Sequence, residues 1–295
     1  MPRFSASDDV EEIMFLPPMR AVTLLALAAA LAGCTATSDI ESRDFMVQQN
    51  ATPASIDAGT AQEMAKLLGT SGPTYVTLVV SAKGAAGTTA STKPSDNRGK
   101  PATSGSGFLV DGSGYVLTAA HVALGKGNEV SARAANGRVY GGQVIAILPD
   151  NDMALIRLKG YSGRAATPAK NQCISPGSMV YSLGKPHAQG DTARIGKLES
   201  MSYGRAVQYG KFGYPDAMVL KMGTQKGESG GPVFNEQGQL VGMVVSTLTD
   251  ANGNLINLAH AIPASDLARF LCGNMSCSAE WQNLSRKSAT QCSNI

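Results

Sequence analysis

Strongly charged segments, long apolar runs and paired cysteine motifs are all missing from this sequence. Charged residues make up only 16% of the 295 residues, the formal net charge is +3, and Lys and Arg form no cluster that could follow a phosphate backbone. We therefore expect no nucleic-acid partner. The five cysteines lack the paired C-x-x-C spacing of zinc sites, so the sequence predicts no metal and no other cofactor.

Helical periodicity is also scarce, whereas short apolar strands are frequent. Residues 58–69 have the apolar spacing of a short amphipathic helix, and residues 264–271 that of a short closing helix. Between them, segments such as TYVTLVVS, MALIRLK and PVFNEQGQLVGMVVS alternate with turn signals such as DGSG and ANGN. Residues 83–103 are rich in Gly, Ser, Thr, Lys and Pro and predict a long surface loop. The pattern predicts an all-β sandwich or barrel with short helices at its two ends.

An apolar run near the N-terminus is followed by a polar segment. Residues 21–32 are apolar, follow Arg20 and are too few to span a bilayer as a helix, which is typical of an export signal. The run ends in LAGC, which resembles the lipobox of bacterial lipoproteins. This resemblance implies that Cys34 carries a lipid. Because Thr35 follows in place of the aspartate of an inner-membrane retention signal, we expect an outer-membrane anchor facing the periplasm or the cell surface.

These features divide the N-terminal part of the chain into two segments. We expect residues 1–33 to be a signal peptide, and residues 34–57 to be a lipidated, polar tether without a core. The acidic residues before Met19 fit a signal poorly, so Met19 is an alternative to Met1 as the translation start. An ordinary secretory signal or a buried helix remains the alternative for the apolar run.

Export would place the remaining cysteines in an oxidising compartment. With Cys34 lipidated, we expect two disulfides among Cys173, Cys272, Cys277 and Cys292, in any of three pairings. Three of these cysteines lie in the tail 272–295 and would attach it to itself or to the folded body.

A serine surrounded by glycines, in GESGGP at residues 227–232, has the composition of a sharp turn. A serine hydroxyl becomes a nucleophile only beside a base that a third group orients. Of three histidines, His121 follows an apolar strand in VLTAAHV, and Asp152 precedes another in LPDNDMALIRL. Taken singly, each residue is also typical of a structural histidine, a turn aspartate or a turn serine.

Together and in this order, His121, Asp152 and Ser229 resemble the triad segments of chymotrypsin-like serine proteases. Over residues 58–271, the chain resembles successive segments of the HtrA (Deg) protease family in SGSGFLVDGSGYVLTAAHV, NDMALIRL, VYSLGKP, RIGKLESM, GESGGPVFNEQGQLVGM and AHAIPASDL. The resemblance implies two six-stranded antiparallel β-barrels, an N-terminal one at about 73–160 and a C-terminal one at about 161–271, with the active site between them.

The same resemblance implies a serine endopeptidase that acts on proteins or peptides. His121 would be the general base, Asp152 would orient the imidazole and Ser229 would attack the carbonyl. The backbone N–H groups of Gly227 and Ser229 would form the oxyanion hole.

The sequence departs from the HtrA pattern at two places outside the triad. Only the short tail 272–295 follows the protease-like segment, so we expect no PDZ domain; trimer assembly is then in doubt, and we expect a monomer while the oligomeric state stays open. Glu228 stands where that family has asparagine. We expect Glu228 to face solvent or to pair with Lys226.

The resemblance also implies a specificity pocket without charge. Gly223 would lie at its base, and Ser246, Thr247 and Leu248 would pair with the substrate backbone, which predicts a small to medium apolar P1 side chain. His260 stands near the expected pocket wall, where the family has phenylalanine. It allows two interpretations: a partly charged imidazole that favours an acidic P1 side chain, or a structural histidine hydrogen-bonded within its strand.

The sequence therefore predicts a lipid-anchored serine endopeptidase. Two alternatives stay open: a non-catalytic surface lipoprotein that uses the protease fold to bind a protein, and a latent protease that requires an activator.

Overall fold

The computed structural model describes residues 45–49, 52–53, 58–82, 102–170, 174–186 and 190–288. The described chain begins with two short strands, β1 (Met46–Gln49) and β2 (Thr52–Pro53), and a helix, α1 (Ala58–Thr70). In α1, Met64 and Leu67 lie three residues apart on one face, and both are buried. This confirms the amphipathic helix that the sequence predicts.

Six antiparallel strands close into the first barrel. They are β3 (Tyr75–Ser81), β4 (Ala102–Leu109), β5 (Tyr115–Thr118), β6 (Glu129–Arg133), β7 (Val139–Leu148) and β8 (Met153–Leu158), with a single helical turn, α2 (Ala120–Ala123), after β5. Their order is β3-β4-β5-β8-β7-β6, and β6 pairs back onto β3. In β3, Leu78 and Val80 are buried while Val79 is exposed, the alternation that the pleat imposes.

The second barrel is also six-stranded and antiparallel. Its strands are β9 (Met179–Gly184), β10 (Thr192–Ser200), β13 (Met218–Lys221), β14 (Pro232–Phe234), β15 (Leu240–Thr249) and β16 (Leu255–Pro263). Between β10 and β13 in the chain, β11 (Val207–Tyr209) and β12 (Phe212–Tyr214) form a separate two-stranded sheet. Pairing of Leu198 with Leu220 joins β10 to β13 and closes the barrel. The predicted all-β fold of two six-stranded barrels with short flanking helices is confirmed.

A short strand lies where the sequence predicts a tether. Residues 46–49 lie within the expected tether, yet they form β1, which pairs in parallel with β10 from Met46 opposite Thr192 onwards. The ring of Phe45 packs edge-on against Tyr75, with the ring centroids 5.7 Å apart. The prediction of a segment without core contacts is wrong here, because β1 depends on an edge of β10 that no local pattern reveals.

Two helices end the described chain, α3 (Ala264–Asn274) and α4 (Ala279–Ser285). A disulfide joins Cys272 to Cys277, whose Cα atoms are 5.3 Å apart, and so supplies one of the expected bridges. Cys173 and Cys292 lie outside the described residues, as do the signal segment 1–33 and Cys34. Within the described ranges, no helix is long and apolar enough to cross a membrane.

Candidate active site

His121 and Asp152 meet at the end of the first barrel because β5 and β8 are neighbours. His121 lies in α2, directly after β5, and Asp152 lies between a 3₁₀ turn and β8 with a left-handed φ of 47°, which few non-glycine residues adopt. His121 Nδ1 is 2.9 Å from Asp152 Oδ2, and the backbone N–H of His121 donates to Oδ1 at 3.0 Å. The carboxylate is fully buried. These two bonds orient the imidazole and leave Nε2 for proton transfer.

A tyrosine that the sequence patterns do not mark also holds this carboxylate. The hydroxyl of Tyr209, on the hairpin strand β11, donates a hydrogen bond to Asp152 Oδ2 and lies 3.4 Å from His121 Nδ1. Burial raises the pKa of Tyr209 far above its ordinary value, and the Asp152 charge raises it further. Tyr209 therefore keeps its proton and remains a donor to Asp152.

Ser229 lies on the turn between β13 and β14, which we call the nucleophile turn (residues 222–231). Gly227 and Gly230 have φ values of +97° and +84°, in the region that favours glycine. A Cβ atom on Gly230 would lie 2.2 Å from the carbonyl oxygen of Ser106. Within the described part of the chain, the N–H groups of Gly227 and Ser229 donate to no protein acceptor. Both remain available to an oxyanion.

The first barrel supports this turn through Ser106, a buried residue of β4. Its Oγ donates to the carbonyl oxygen of Gly227 at 2.9 Å, and its N–H donates to the carbonyl oxygen of Ser229 at 2.9 Å. Ser106 thus holds the carbonyl groups of Gly227 and Ser229, the residues on either side of Glu228. The only sequence signal for Ser106 is its place in the SGSGFLV segment, because its partners lie far along the chain.

Ser229 and His121 line one cavity of about 340 Å³ at the junction of the two barrels, together with Tyr209, Gly227 and Ser246. The three predicted triad residues are therefore brought together, because Asp152 is bonded to His121. Among the described residues, no hydrogen bond joins Ser229 Oγ to His121 Nε2. Such catalytic bonds are often long until substrate binds.

The predicted specificity residues lie on the second barrel. Gly223 is buried just after β13, and Ser246, Thr247 and Leu248 are half-buried on β15. His260 lies opposite Ser246 on β16. Of these five residues, Ser246 lines the cavity.

His260 is buried and hydrogen-bonded to a neighbouring side chain. Its Nδ1 lies 2.7 Å from the hydroxyl of Tyr214, which is itself 2.7 Å from Ser246 Oγ. Burial lowers the pKa of His260; Asp216 opposes this shift and Arg205 adds to it. The imidazole is therefore held in its neutral form at neutral pH.

The prediction for Glu228 is wrong. Glu228 does not face solvent or pair with Lys226: it is 1% exposed and receives two hydrogen bonds from Arg194 on β10, from Nε to Oε1 at 2.9 Å and from Nη2 to Oε2 at 3.1 Å. Burial raises the pKa of Glu228, and the guanidinium opposes that shift by favouring the carboxylate. The sequence did not reveal Arg194 as the partner, and without a partner a buried glutamate is unexpected.

Comparisons with known sequences agree with this fold. Residues 105–243 match the family model of the trypsin-like peptidase domain. The chain is 29% identical over 182 residues to the serine protease HTRA1 of Xenopus tropicalis, covering 60% of this chain and 37% of that protein. It is 27% identical over 175 residues to a probable periplasmic serine endoprotease DegP-like of Brucella suis, covering 59% of this chain and 33% of that protein. The matched region thus spans about a third of the length of these curated relatives.

Solved structures support the same conclusion about the fold. An HtrA-type protease, AlgW, with a bound tripeptide aligns with a TM-score of 0.57 at 21% identity, over 71% of this chain and 62% of that one. The active form of the Rv3671c protease from M. tuberculosis aligns with a TM-score of 0.58 at 19% identity, over 77% and 92% of the two chains. This chain is therefore similar to trypsin-like peptidases over residues 105–243 and shares the fold of HtrA-type proteases.

Proposed function

We propose that this protein is a serine endopeptidase that cleaves protein substrates through an acyl-enzyme intermediate. His121, oriented by Asp152, takes the proton of Ser229 Oγ as the oxygen attacks the peptide carbonyl, and returns it to the leaving amine. The N–H groups of Gly227 and Ser229 bind the oxyanion, and each such donor is worth about 3 kcal/mol in comparable enzymes. The observation that carries the proposal is the hydrogen-bonded His121–Asp152 pair, which shares a cavity with Ser229.

For the specificity pocket, we propose a small to medium apolar P1 side chain. Gly223 contributes no charge, and Ser246, Thr247 and Leu248 offer an uncharged strand to the substrate backbone. Burial keeps His260 neutral, which argues against an acidic P1 side chain. Burial also raises the pKa of Tyr214 to about 12, so the hydroxyl between His260 and Ser246 is uncharged as well.

We further propose that the enzyme is exported and held at the membrane by a lipid on Cys34. The support is the LAGC segment after the apolar run, together with the similarity to a protein named as periplasmic. The protease domain would cover residues 58–271, and the outer membrane facing the periplasm, or the cell surface, is its proposed place. Of the expected tether 34–57, the part before β1 would remain as the spacer.

A latent or non-catalytic protein is the second candidate. One observation favours it: within the described residues, Ser229 Oγ and His121 Nε2 are not hydrogen-bonded, although both line the cavity. A protein of this kind would bind a protein partner, or would need an activator to close the site.

Labelling with a fluorophosphonate that reacts with activated serines separates these candidates. We expect the wild-type protein to be labelled, and Ser229→Ala and His121→Ala not to be, because neither variant holds an activated nucleophile. A folded wild-type protein that fails to label would contradict the proposal and favour the latent candidate. A peptide library with varied P1 residues, applied to wild type and His260→Ala, then tests the apolar pocket.

A further inference from the structure

A chain of buried polar groups runs from the N-terminal strand β1 to the nucleophile turn. Gln48 on β1 accepts a hydrogen bond through Oε1 from Arg194 Nη1 at 2.6 Å. Arg194 in turn donates to both carboxylate oxygens of Glu228. The side chains of Gln48, Arg194 and Glu228 are 7%, 0% and 1% exposed. All three are therefore withdrawn from water, and Arg194 links Gln48 to Glu228 through its hydrogen bonds.

Glu228, at one end of this series of buried polar groups, fixes the backbone that carries Ser229. Glu228 Oε2 accepts the backbone N–H of Gln225, and the N–H of Glu228 donates to the carbonyl oxygen of Gln225 at 3.2 Å. The N–H of Gly231 donates to the carbonyl oxygen of Glu228 at 2.9 Å. Gly227 and Ser229 are the chain neighbours of Glu228, so the orientation of their N–H groups depends on how Glu228 is held.

At its other end, this series of buried polar groups begins on β1, a strand that the barrel does not need for closure. Strand β10 pairs with β9 along one edge, and with β13 near its C-terminal end. The remaining edge, from Thr192 to Ile195, is covered by β1, and Gln48 lies opposite Arg194 in the register. Strand β1 has only four residues, so its docking contributes a local interaction rather than the main framework of the barrel.

We propose that Gln48 and Arg194 are positioning residues for the nucleophile turn, so that docking of β1 against β10 sets the orientation of the Gly227 and Ser229 N–H groups. The catalytic consequence of this inference rests on the proposed function, whereas the coupling between β1 and the turn does not. When Gln48 is absent, a buried guanidinium N–H loses its acceptor, which is unfavourable. Arg194 then shifts towards another acceptor and holds the Glu228 carboxylate less firmly.

The test compares Gln48→Leu with Gln143→Leu, a matched control in the first barrel. Gln143 also makes an amide hydrogen bond, to the carbonyl oxygen of Gly127 at 3.1 Å, but it is exposed and far from the turn in the chain. Two readouts are made on the whole chain: hydrogen exchange of the amides of residues 225–231 by mass spectrometry, and the rate of fluorophosphonate labelling. For Gln48→Leu we expect turn exchange about tenfold faster and labelling about tenfold slower, since one buried hydrogen bond is lost.

For Gln143→Leu we expect both readouts to match the wild type. Turn exchange that is unchanged in Gln48→Leu would overturn the inference, whatever the labelling rate. Faster exchange that extends equally through β3 and β8 would overturn it as well, because it would mean a general loss of stability. If the wild type does not label while turn exchange still responds to Gln48→Leu, the proposed function fails and the coupling stands. Arg194→Met, which removes the central link, must increase turn exchange at least as much as Gln48→Leu does.

Discussion

Replacing Tyr209 with phenylalanine removes one hydroxyl from the candidate site and keeps the ring. The ring lies edge-on to His121 at 5.6 Å and to Tyr214 at 6.2 Å between centroids, and phenylalanine can preserve both contacts. What is lost is the hydrogen bond to Asp152 Oδ2. The carboxylate retains its two bonds from His121 but loses the only partner that lies on the hairpin of β11 and β12 among the described residues.

The size of the effect follows from the charge and the burial of Asp152. A hydrogen bond to a charged group contributes about 1.5–3 kcal/mol, and Asp152 has no exposed surface through which water could replace it directly. We expect the free energy of unfolding to fall by about 1–3 kcal/mol. A less firmly held carboxylate orients the imidazole less well during proton transfer. We therefore expect kcat to fall by about tenfold, equivalent to about 1.4 kcal/mol of barrier, with a smaller change in KM.

The assay is steady-state cleavage of a peptide ester, beside urea unfolding of the same samples. Tyr203→Phe is the control, because Tyr203 lies in the same connection between β10 and β13 while its hydroxyl contacts Arg205 at the surface. A Tyr209→Phe protein that loses stability but keeps kcat within twofold of wild type would refute the positioning role. Wild-type values for both quantities would mean that the hydroxyl does not hold Asp152 in solution.

Three further predictions concern buried polar groups. Ser106→Ala should lower kcat more than it raises KM and should cost about 1–3 kcal/mol of stability, since the Gly227 carbonyl loses a buried donor; unchanged kinetics would contradict this. Arg194→Met should cost about 3–5 kcal/mol in urea unfolding, and Arg194→Met combined with Glu228→Leu should recover most of it, because no buried charge is left unpaired. A double variant no more stable than the single one would contradict that account. Burial lowers the pKa of His260 in the folded protein, so the unfolded chain binds the proton more readily. Stability should therefore decrease as the pH is lowered below about 6.5. His260→Gln should reduce that fall between about pH 7 and about pH 5, and an equal fall in both proteins would exclude His260 as the cause.

The fold, and the meeting of His121, Asp152 and Ser229 at one site, could be predicted because their signals are local. Some barrel strands, such as β3 and β6, alternate buried and less buried residues, and others, such as β8 and β14, are short apolar runs. His121, Asp152 and Ser229 each stand within a short segment whose amino-acid sequence resembles that of the HtrA protease family. Closing a barrel brings such segments together without any further information from the sequence, because the strand order fixes which ends meet.

The supporting residues could not be predicted in the same way. Tyr209 stands in no family-like segment, and the segments that contain Ser106 and Arg194 do not mark either residue as a support for the site. Each of the three acts on a residue that is distant in the chain. The sequence predicts that Glu228 faces solvent or pairs with Lys226, because nothing near Glu228 in the chain identifies Arg194 as its partner. Strand β1 was missed for a related reason, since four residues acquire a β structure only when β10 offers them an edge.

The buried Arg194–Glu228 pair is better explained by the backbone it holds than by stability. Two charges withdrawn from water gain little over a well-packed apolar pair of the same volume, because the desolvation cost offsets their attraction. An apolar pair, however, would offer no acceptor to the Gln225 N–H, whereas the carboxylate does. The turn beside a nucleophile must present N–H groups in one orientation before the substrate arrives, and a turn of glycines has little stiffness of its own. The ion pair supplies that stiffness from β10, and Gln48 on β1 accepts a further hydrogen bond from the guanidinium.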